Sequence, residues 1–138
     1  MRKESTITLT DGGEQKIFKI RQMPASKAER WVYKLVLLLG SGASMNVLTD
    51  PAALFAALNE KPYDKVQELL DDLLSCVSRC ADGGIETQLT NDNVDGFVEE
   101  MITLMKLRVE AFKANHFFPQ VGAADLAKFS EAMIKRQG

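Results

Sequence analysis

The sequence predicts a mainly helical α+β fold in which an N-terminal β-hairpin packs on about four to five helices. Three observations predict it. Near the N-terminus, apolar and polar residues alternate on both sides of a Gly-Gly pair, which is the pattern of a hairpin. Further along, apolar residues recur at intervals of three and four, which is the pattern of amphipathic helices. A short alternating segment near residues 85–89 indicates a third strand, which could pair with the hairpin.

The hairpin is predicted from two alternating segments. Ile7 and Leu9 share one face of the first strand, and Phe18 and Ile20 share one face of the second. Between them, Asp11-Gly12-Gly13-Glu14 contains glycines that can adopt the positive φ angles of a tight turn. An isolated hairpin is only marginally stable, so this one must pack on other elements.

The first helix is predicted to begin at Ser26. Pro24 precedes it, Ser26 suits the N-cap position, and Glu29 three residues later completes a capping box. Gly40-Ser41-Gly42 is predicted to end the helix. Its apolar stripe consists of Ala28, Trp31, Val32, Leu35, Leu38 and Leu39.

Two further helices are predicted in the middle of the chain. Asp50 can cap a short helix that has Pro51 at its first position. The next helix has the most regular apolar spacing of the chain and is predicted to continue to near Asp82-Gly83-Gly84. Its apolar residues are Val66, Leu69, Leu70, Leu73, Leu74 and Val77.

A long fourth helix is predicted from about Val94 to Ala114, capped by Asp92 or Asn93. Its apolar arc is broader than a one-sided surface helix requires. The arc contains Phe97, Val98, Met101, Ile102, Leu104, Met105, Val109 and Phe112.

Length and composition predict one soluble domain, residues 1–138. Hydrophobic residues make up 46% of the 138 residues and charged residues 26%, which is typical of a globular protein. Within this domain we distinguish the hairpin 5–21, a helical body 26–118 and a weakly amphipathic C-terminal segment 120–138. No run of apolar residues, including 35–39, is long enough to span a bilayer. Since the N-terminus also lacks a signal-peptide core, we expect a cytoplasmic protein that does not bind membranes.

The charge pattern argues against nucleic acid as a partner. The formal net charge is -2, and the basic residues are scattered among acidic neighbours. A nucleic-acid-binding protein needs a clustered basic face to contact phosphates.

No catalytic, cofactor or metal site is predicted. Cys76 and Cys80 would share one side of the predicted third helix, but a structural zinc site needs four ligands and the only histidine is His116. The simpler interpretation is that both cysteines pack as small hydrophobic residues. The pairs Asp71-Asp72 and Glu99-Glu100 diverge on a helix and cannot form an acid–base dyad. The protein is therefore predicted not to be an enzyme.

Two features exceed what a core requires and indicate binding to another protein. The broad arc of the fourth helix carries two methionines, whose thioethers repack easily against different partners. Two consecutive phenylalanines follow this helix. Either one of them anchors a partner or a second subunit, or both close the bottom of the core. The candidate partner-binding residues are Met101, Met105, Val109, Phe112, Phe117 and Phe118.

The order of these elements resembles the tail assembly chaperones of long-tailed bacteriophages and prophages. The resemblance is carried by a hairpin of residues 7–13 and 16–20 that runs into residues 21–31, and by a late helix that ends in residues 111–118. Its strongest part is the strand-to-helix junction ending in Glu29-Arg30-Trp31. It covers most of the chain, as a pattern of spacing and element order.

This resemblance implies a small, mostly helical protein that is made in the host bacterial cytoplasm and is absent from the finished virion. It implies binding to the long, hydrophobic tape measure protein, which is kept soluble while tail tube subunits polymerise around it. It also implies a second, longer product made by ribosomal frameshifting, whose extension recruits the tail tube protein. Because an apolar binding surface must be covered when no client is bound, we also expect a homo-oligomer.

The residues alone are also compatible with a function of another class. A small acidic phage or prophage protein could instead be an inhibitor or regulator that binds one folded host protein. The neighbouring gene distinguishes the two, because a chaperone gene should lie just before a very long tape measure gene.

Overall fold

The computed structural model describes residues 3–40 and 45–115. In these residues the predicted α+β class is confirmed, with four α-helices and a four-stranded antiparallel sheet. The predicted C-terminal segment 120–138 lies outside the described residues.

The described residues fall into two compact units. The sheet unit comprises residues 3–24 and 70–115, and the helical unit comprises residues 25–40 and 45–69. The prediction of a single domain stays a prediction.

The predicted hairpin is confirmed as the first part of the sheet. Strand β1 (Glu4–Asp11) pairs antiparallel with β2 (Glu14–Arg21) along its whole length. The turn consists of Gly12 and Gly13, whose φ angles are 62° and 81°. Two consecutive residues with positive φ match the twist of a two-residue hairpin, which is why both positions are glycine.

The predicted third helix is too long, because its last part forms a strand instead. Helix α3 (Tyr63–Leu74) ends well before Gly84, and β3 (Val77–Cys80) pairs antiparallel with β2. Val77 fits the apolar spacing of the helix and the alternation of a strand equally well. Pairing with the open side of β2 therefore decides the conformation, as tertiary context commonly does for strands.

The predicted third strand is present but is the fourth in the sheet. β4 (Glu86–Gln88) pairs with β3 rather than with the hairpin, so that the strand order is β1-β2-β3-β4. The predicted helical body 26–118 therefore contains two strands.

The helical unit contains α1 (Ala25–Leu39), α2 (Pro51–Leu58) and α3 as far as Leu69. The predicted cap of α2 is confirmed, since the Asp50 side chain accepts a hydrogen bond from Ala52 N at 3.1 Å. Helix α1 begins one residue before Ser26, which lies in its first turn rather than at the N-cap. The buried apolar residues of the helical unit are Trp31, Val32, Leu35, Val36, Val47, Leu54, Leu58 and Leu69.

The last described helix, α4 (Met101–Asn115), starts later than the predicted Val94. A short 3-10 turn occupies Val94–Gly96, and an irregular segment leads from it to Met101. Helix α4 packs against β1 and β2 and covers the apolar face of the hairpin. The buried apolar residues of the sheet unit are Phe18, Ile20, Met23, Leu73, Leu74, Cys76, Val77, Leu89, Val94, Val98, Leu107, Ala111 and Phe112.

Candidate functional site

Helix α4 is apolar on two faces, only one of which is buried. Thr103, Leu107 and Ala111 follow one another at intervals of four, and each is at most 1% exposed. These residues form the face that packs on the hairpin. A surface helix of a globular protein normally carries charged and polar residues on its remaining face. On α4, part of that face is apolar instead.

The exposed apolar face is a continuous stripe, called here the α4 stripe, of Met101, Ile102, Met105 and Val109. Met101 is 76% exposed, Met105 51% and Ile102 50%, and Val109 is half-buried. Residues four apart lie above one another on a helix, so these side chains adjoin along two turns. Adjoining exposed apolar side chains are characteristic of a surface that binds another protein.

The structure brings three of the six candidate residues together on this surface. They are Met101, Met105 and Val109, and the stripe adds Ile102, which the sequence analysis placed on the apolar arc but not among the candidates. Phe112 is 3% exposed, so it belongs to the core rather than to the exposed surface. Phe117 and Phe118 lie outside the described residues, as does His116.

The N-terminal end of α4 is anchored to the hairpin turn. The buried carboxylate of Asp11 accepts hydrogen bonds from the backbone N–H groups of Glu99 and Glu100, both at 2.8 Å. In return, the Glu100 carboxylate accepts one from Gly12 N at 2.6 Å. A carboxylate near a helix N-terminus also interacts favourably with the helix dipole. These bonds set where α4 begins.

The charge of Asp11 is balanced inside the protein by Lys16. Lys16 Nζ lies 2.7 Å from Asp11 Oδ2 and donates a second hydrogen bond to the carbonyl of Phe97 at 3.2 Å. Burial by itself raises the pKa of the Asp11 carboxyl. The hydrogen bonds from Lys16, Glu99 and Glu100 outweigh burial and lower that pKa well below its ordinary range. Asp11 is therefore a buried, ionised anchor.

The C-terminal end of α4 is anchored to the segment that follows β2. The buried side chain of Asn115 accepts a hydrogen bond from Met23 N at 2.8 Å and donates one to Ala111 O at 2.7 Å. Gln22 Nε2 donates to the carbonyl of Ala114 at 2.9 Å. Because both ends are tied to the hairpin, the α4 stripe is presented on a fixed helix.

The sequence analysis missed a second surface feature, on the helical unit. A cavity of about 370 Å³ is lined by Lys34, Leu37, Leu38, Lys65, Glu68 and Leu69. Lys34 Nζ lies 2.9 Å from Glu68 Oε1, and this ion pair lowers the pKa of the Glu68 carboxyl. Leu37 is 42% exposed and lies off the predicted stripe of α1, which is why periodicity did not single it out.

The two cysteines do not share a helix face. Cys76 is buried in the turn after α3, and Cys80 is half-buried at the end of β3. Among the described residues, no group of three or more His, Cys, Asp or Glu side chains is placed to hold a metal ion. No helix within the described ranges is both long and apolar enough to cross a membrane.

The chain is similar to a known protein family. The family model for the phage tail assembly chaperone protein matches residues 12–124, which include the C-terminal anchor Asn115 and the whole α4 stripe. No curated protein and no solved structure matches the chain significantly.

Proposed function

The chain belongs to the family of phage tail assembly chaperones, and on that basis we propose that it binds the tape measure protein and keeps it soluble during tail tube assembly. The observation that carries this proposal is the α4 stripe. A holdase for a long apolar client needs apolar side chains that are exposed before the client arrives. Met101, Ile102 and Met105 are each at least half exposed on a helix anchored at both ends.

The chemistry of the stripe suits a client that offers apolar helices. Side chains at positions i, i+4 and i+8 meet the apolar face of an amphipathic helix in the manner of helix-in-groove recognition. Methionine side chains adapt to different apolar shapes, so one surface accepts successive segments of a long client. Burying one methionine side chain completely contributes roughly 1.5–3 kcal/mol, so a few such contacts support reversible binding.

The remaining parts of the proposal rest on the resemblance to this family. The chaperone acts in the host bacterial cytoplasm during assembly and is not part of the mature virion. A longer frameshifted form of the same protein contacts the tail tube protein. The chaperone itself has no catalytic activity, because client binding requires exposed apolar side chains and no catalytic groups.

Co-expression with the tape measure protein of the same genome tests the proposal. We expect the tape measure protein to move from the insoluble to the soluble fraction and to co-purify with this chain. If it stays insoluble while the chain purifies with a folded host protein, the chain is an inhibitor or regulator of that host protein and the chaperone role is rejected.

A further inference from the structure

The two edges of the sheet differ in how they are protected against pairing with another strand. β4 has only three residues, and its Glu86 forms ion pairs with Lys19 and Arg21. Short, charged edges resist further pairing. β1 is eight residues long, contains no proline and carries acidic residues only at its ends, Glu4 and Asp11. Within the part of the chain that the structure describes, no strand covers its outer side.

The register of the hairpin shows which groups β1 presents at this open edge. Gln22 N donates to Lys3 O at 3.0 Å, so the odd-numbered positions of β1 exchange hydrogen bonds with β2. The even-numbered positions direct their backbone N–H and C=O groups outwards. Those positions are Thr6, Thr8 and Thr10 between the acidic ends, and all three side chains are exposed.

We propose that the open edge of β1 pairs antiparallel with β1 of a second copy of this chain, with Thr8 on the two-fold axis. In this register Thr8 faces Thr8 of the second copy, and Thr6 faces Thr10. The outward groups of these threonines then exchange about six hydrogen bonds across the interface. Pairs of threonines directly opposite one another stabilise antiparallel strands.

The apolar residues of β1 favour pairing with a second copy of β1. They also favour this register over the alternatives. Ile7 and Leu9 are half-buried at the edge of the core. With Thr8 on the axis, Ile7 lies opposite Leu9 of the second copy, so both apolar side chains gain a cross-strand partner. A shift of two residues one way sets Leu9 opposite Ser5, and the opposite shift sets Ile7 opposite the buried Asp11. Each shifted register leaves one apolar residue of β1 opposite its own copy, and only the register centred on Thr8 gives both Ile7 and Leu9 an apolar partner.

Pairing by a two-fold axis has a consequence for the surface of the dimer. The axis of an antiparallel strand pair is perpendicular to the sheet, so the four-stranded sheets join with corresponding faces on the same side. Helix α4 packs on one face of β1 and β2, so both copies of α4 lie on that side. A dimer therefore presents two α4 stripes to one client. Only this last step rests on the proposed function.

Sedimentation of the full-length protein tests the pairing. We expect a dimer at tens of micromolar that Thr8→Lys converts to monomer, with the dissociation constant raised about tenfold or more because two lysines then face each other. The matched control is Gln15→Lys, which adds the same charge to the same face but on the interior strand β2. This control should stay dimeric. A wild type that is monomeric throughout, or a dimer equally stable in both variants, would overturn the pairing.

Cross-linking tests the register. In Thr8→Cys, mild oxidation should yield a disulfide-linked dimer, because Cα atoms of such a pair lie about 5.5 Å apart. Gln15→Cys and the wild type, which retains Cys76 and Cys80, should not link. A Thr8→Cys sample that sediments as a dimer without linking contradicts the register.

The solubility of the client is a separate measurement. A monomeric Thr8→Lys that still solubilises the tape measure protein preserves the proposed function, whereas a dimeric wild type that fails to do so rejects that function alone.

Discussion

Asp11 and Glu100 bind each other's chain segments reciprocally, although they are far apart in sequence. Asp11 Oδ1 accepts a hydrogen bond from Glu100 N at 2.8 Å, and Glu100 Oε1 accepts one from Gly12 N at 2.6 Å. In an ordinary capping box the two partners are three residues apart on one helix. Here the hairpin turn supplies one of them, so folding of the hairpin and the start of α4 are coupled.

Replacing Asp11 tests this coupling. We expect Asp11→Asn to lower the free energy of unfolding by about 3 kcal/mol, because it leaves the buried Lys16 ammonium without its counter-ion. Chemical denaturation followed by circular dichroism measures the change. Asp92→Asn, at an exposed position, serves as the control and should change stability by less than about 0.5 kcal/mol. Equal stability of the two variants would refute the anchoring role of Asp11.

The lowered pKa of Asp11 predicts that the stability of the protein depends on pH. The pKa of Asp11 is lower in the folded protein than its ordinary value of 3.8, so its contribution to stability is fully present above that value and is lost as the pH falls below it. We expect the stability difference between wild type and Asp11→Asn to shrink as the pH falls below about 4. Denaturation curves of both proteins at several pH values give this difference. A difference that stays constant would show that folding does not lower the pKa of Asp11.

Loss of the second anchor of α4, Asn115, is expected to lower the stability less than loss of Asp11. Asn115→Ala removes the acceptor for Met23 N, and a buried donor without a partner costs about 2 kcal/mol. Hydrogen exchange should also be faster in the last turn of α4, since that turn loses its link to the hairpin. The exposed Asn91→Ala is the control. If both alanine variants are equally stable, the Asn115 contact does not hold α4 in place.

Local sequence signals predicted the elements that local interactions determine. The Gly12-Gly13 turn and the Asp50 cap were found because the required φ angles and the capping bond depend on neighbouring residues alone. The start of α4 depends on Asp11, which is distant in sequence, whereas the local capping residues Asp92 and Asn93 predicted a start that is too early. Likewise, Val77 joins a strand because β2 offers it a partner.

The candidate site was predictable in part for the same reason. Apolar spacing placed Met101, Met105 and Phe112 on one arc of a helix, but it does not distinguish the residues that other elements cover. Phe112 is buried and the two methionines are exposed because α4 packs on the hairpin along a different face. The inward position of Asp11 and Lys16 was also hidden, since charged residues in a strand are usually assigned to its solvent face.

The α4 stripe predicts variants that separate binding from folding. Met101→Gln and Met105→Gln remove apolar surface at exposed positions, so the free energy of unfolding should change by less than about 0.5 kcal/mol. Thermal unfolding followed by circular dichroism measures this. A large loss of stability would mean that these side chains belong to the core rather than to a binding surface.

The most direct test of the central claim is co-purification of the tape measure protein with the Met101→Gln/Met105→Gln double variant. Lys106→Gln, at an exposed position on the same helix, is the matched control. We predict that the wild type and the control keep the tape measure protein soluble and bound, whereas the double variant leaves it in the insoluble fraction. Full solubilisation by a folded double variant would contradict the assignment of the α4 stripe as the client-binding surface.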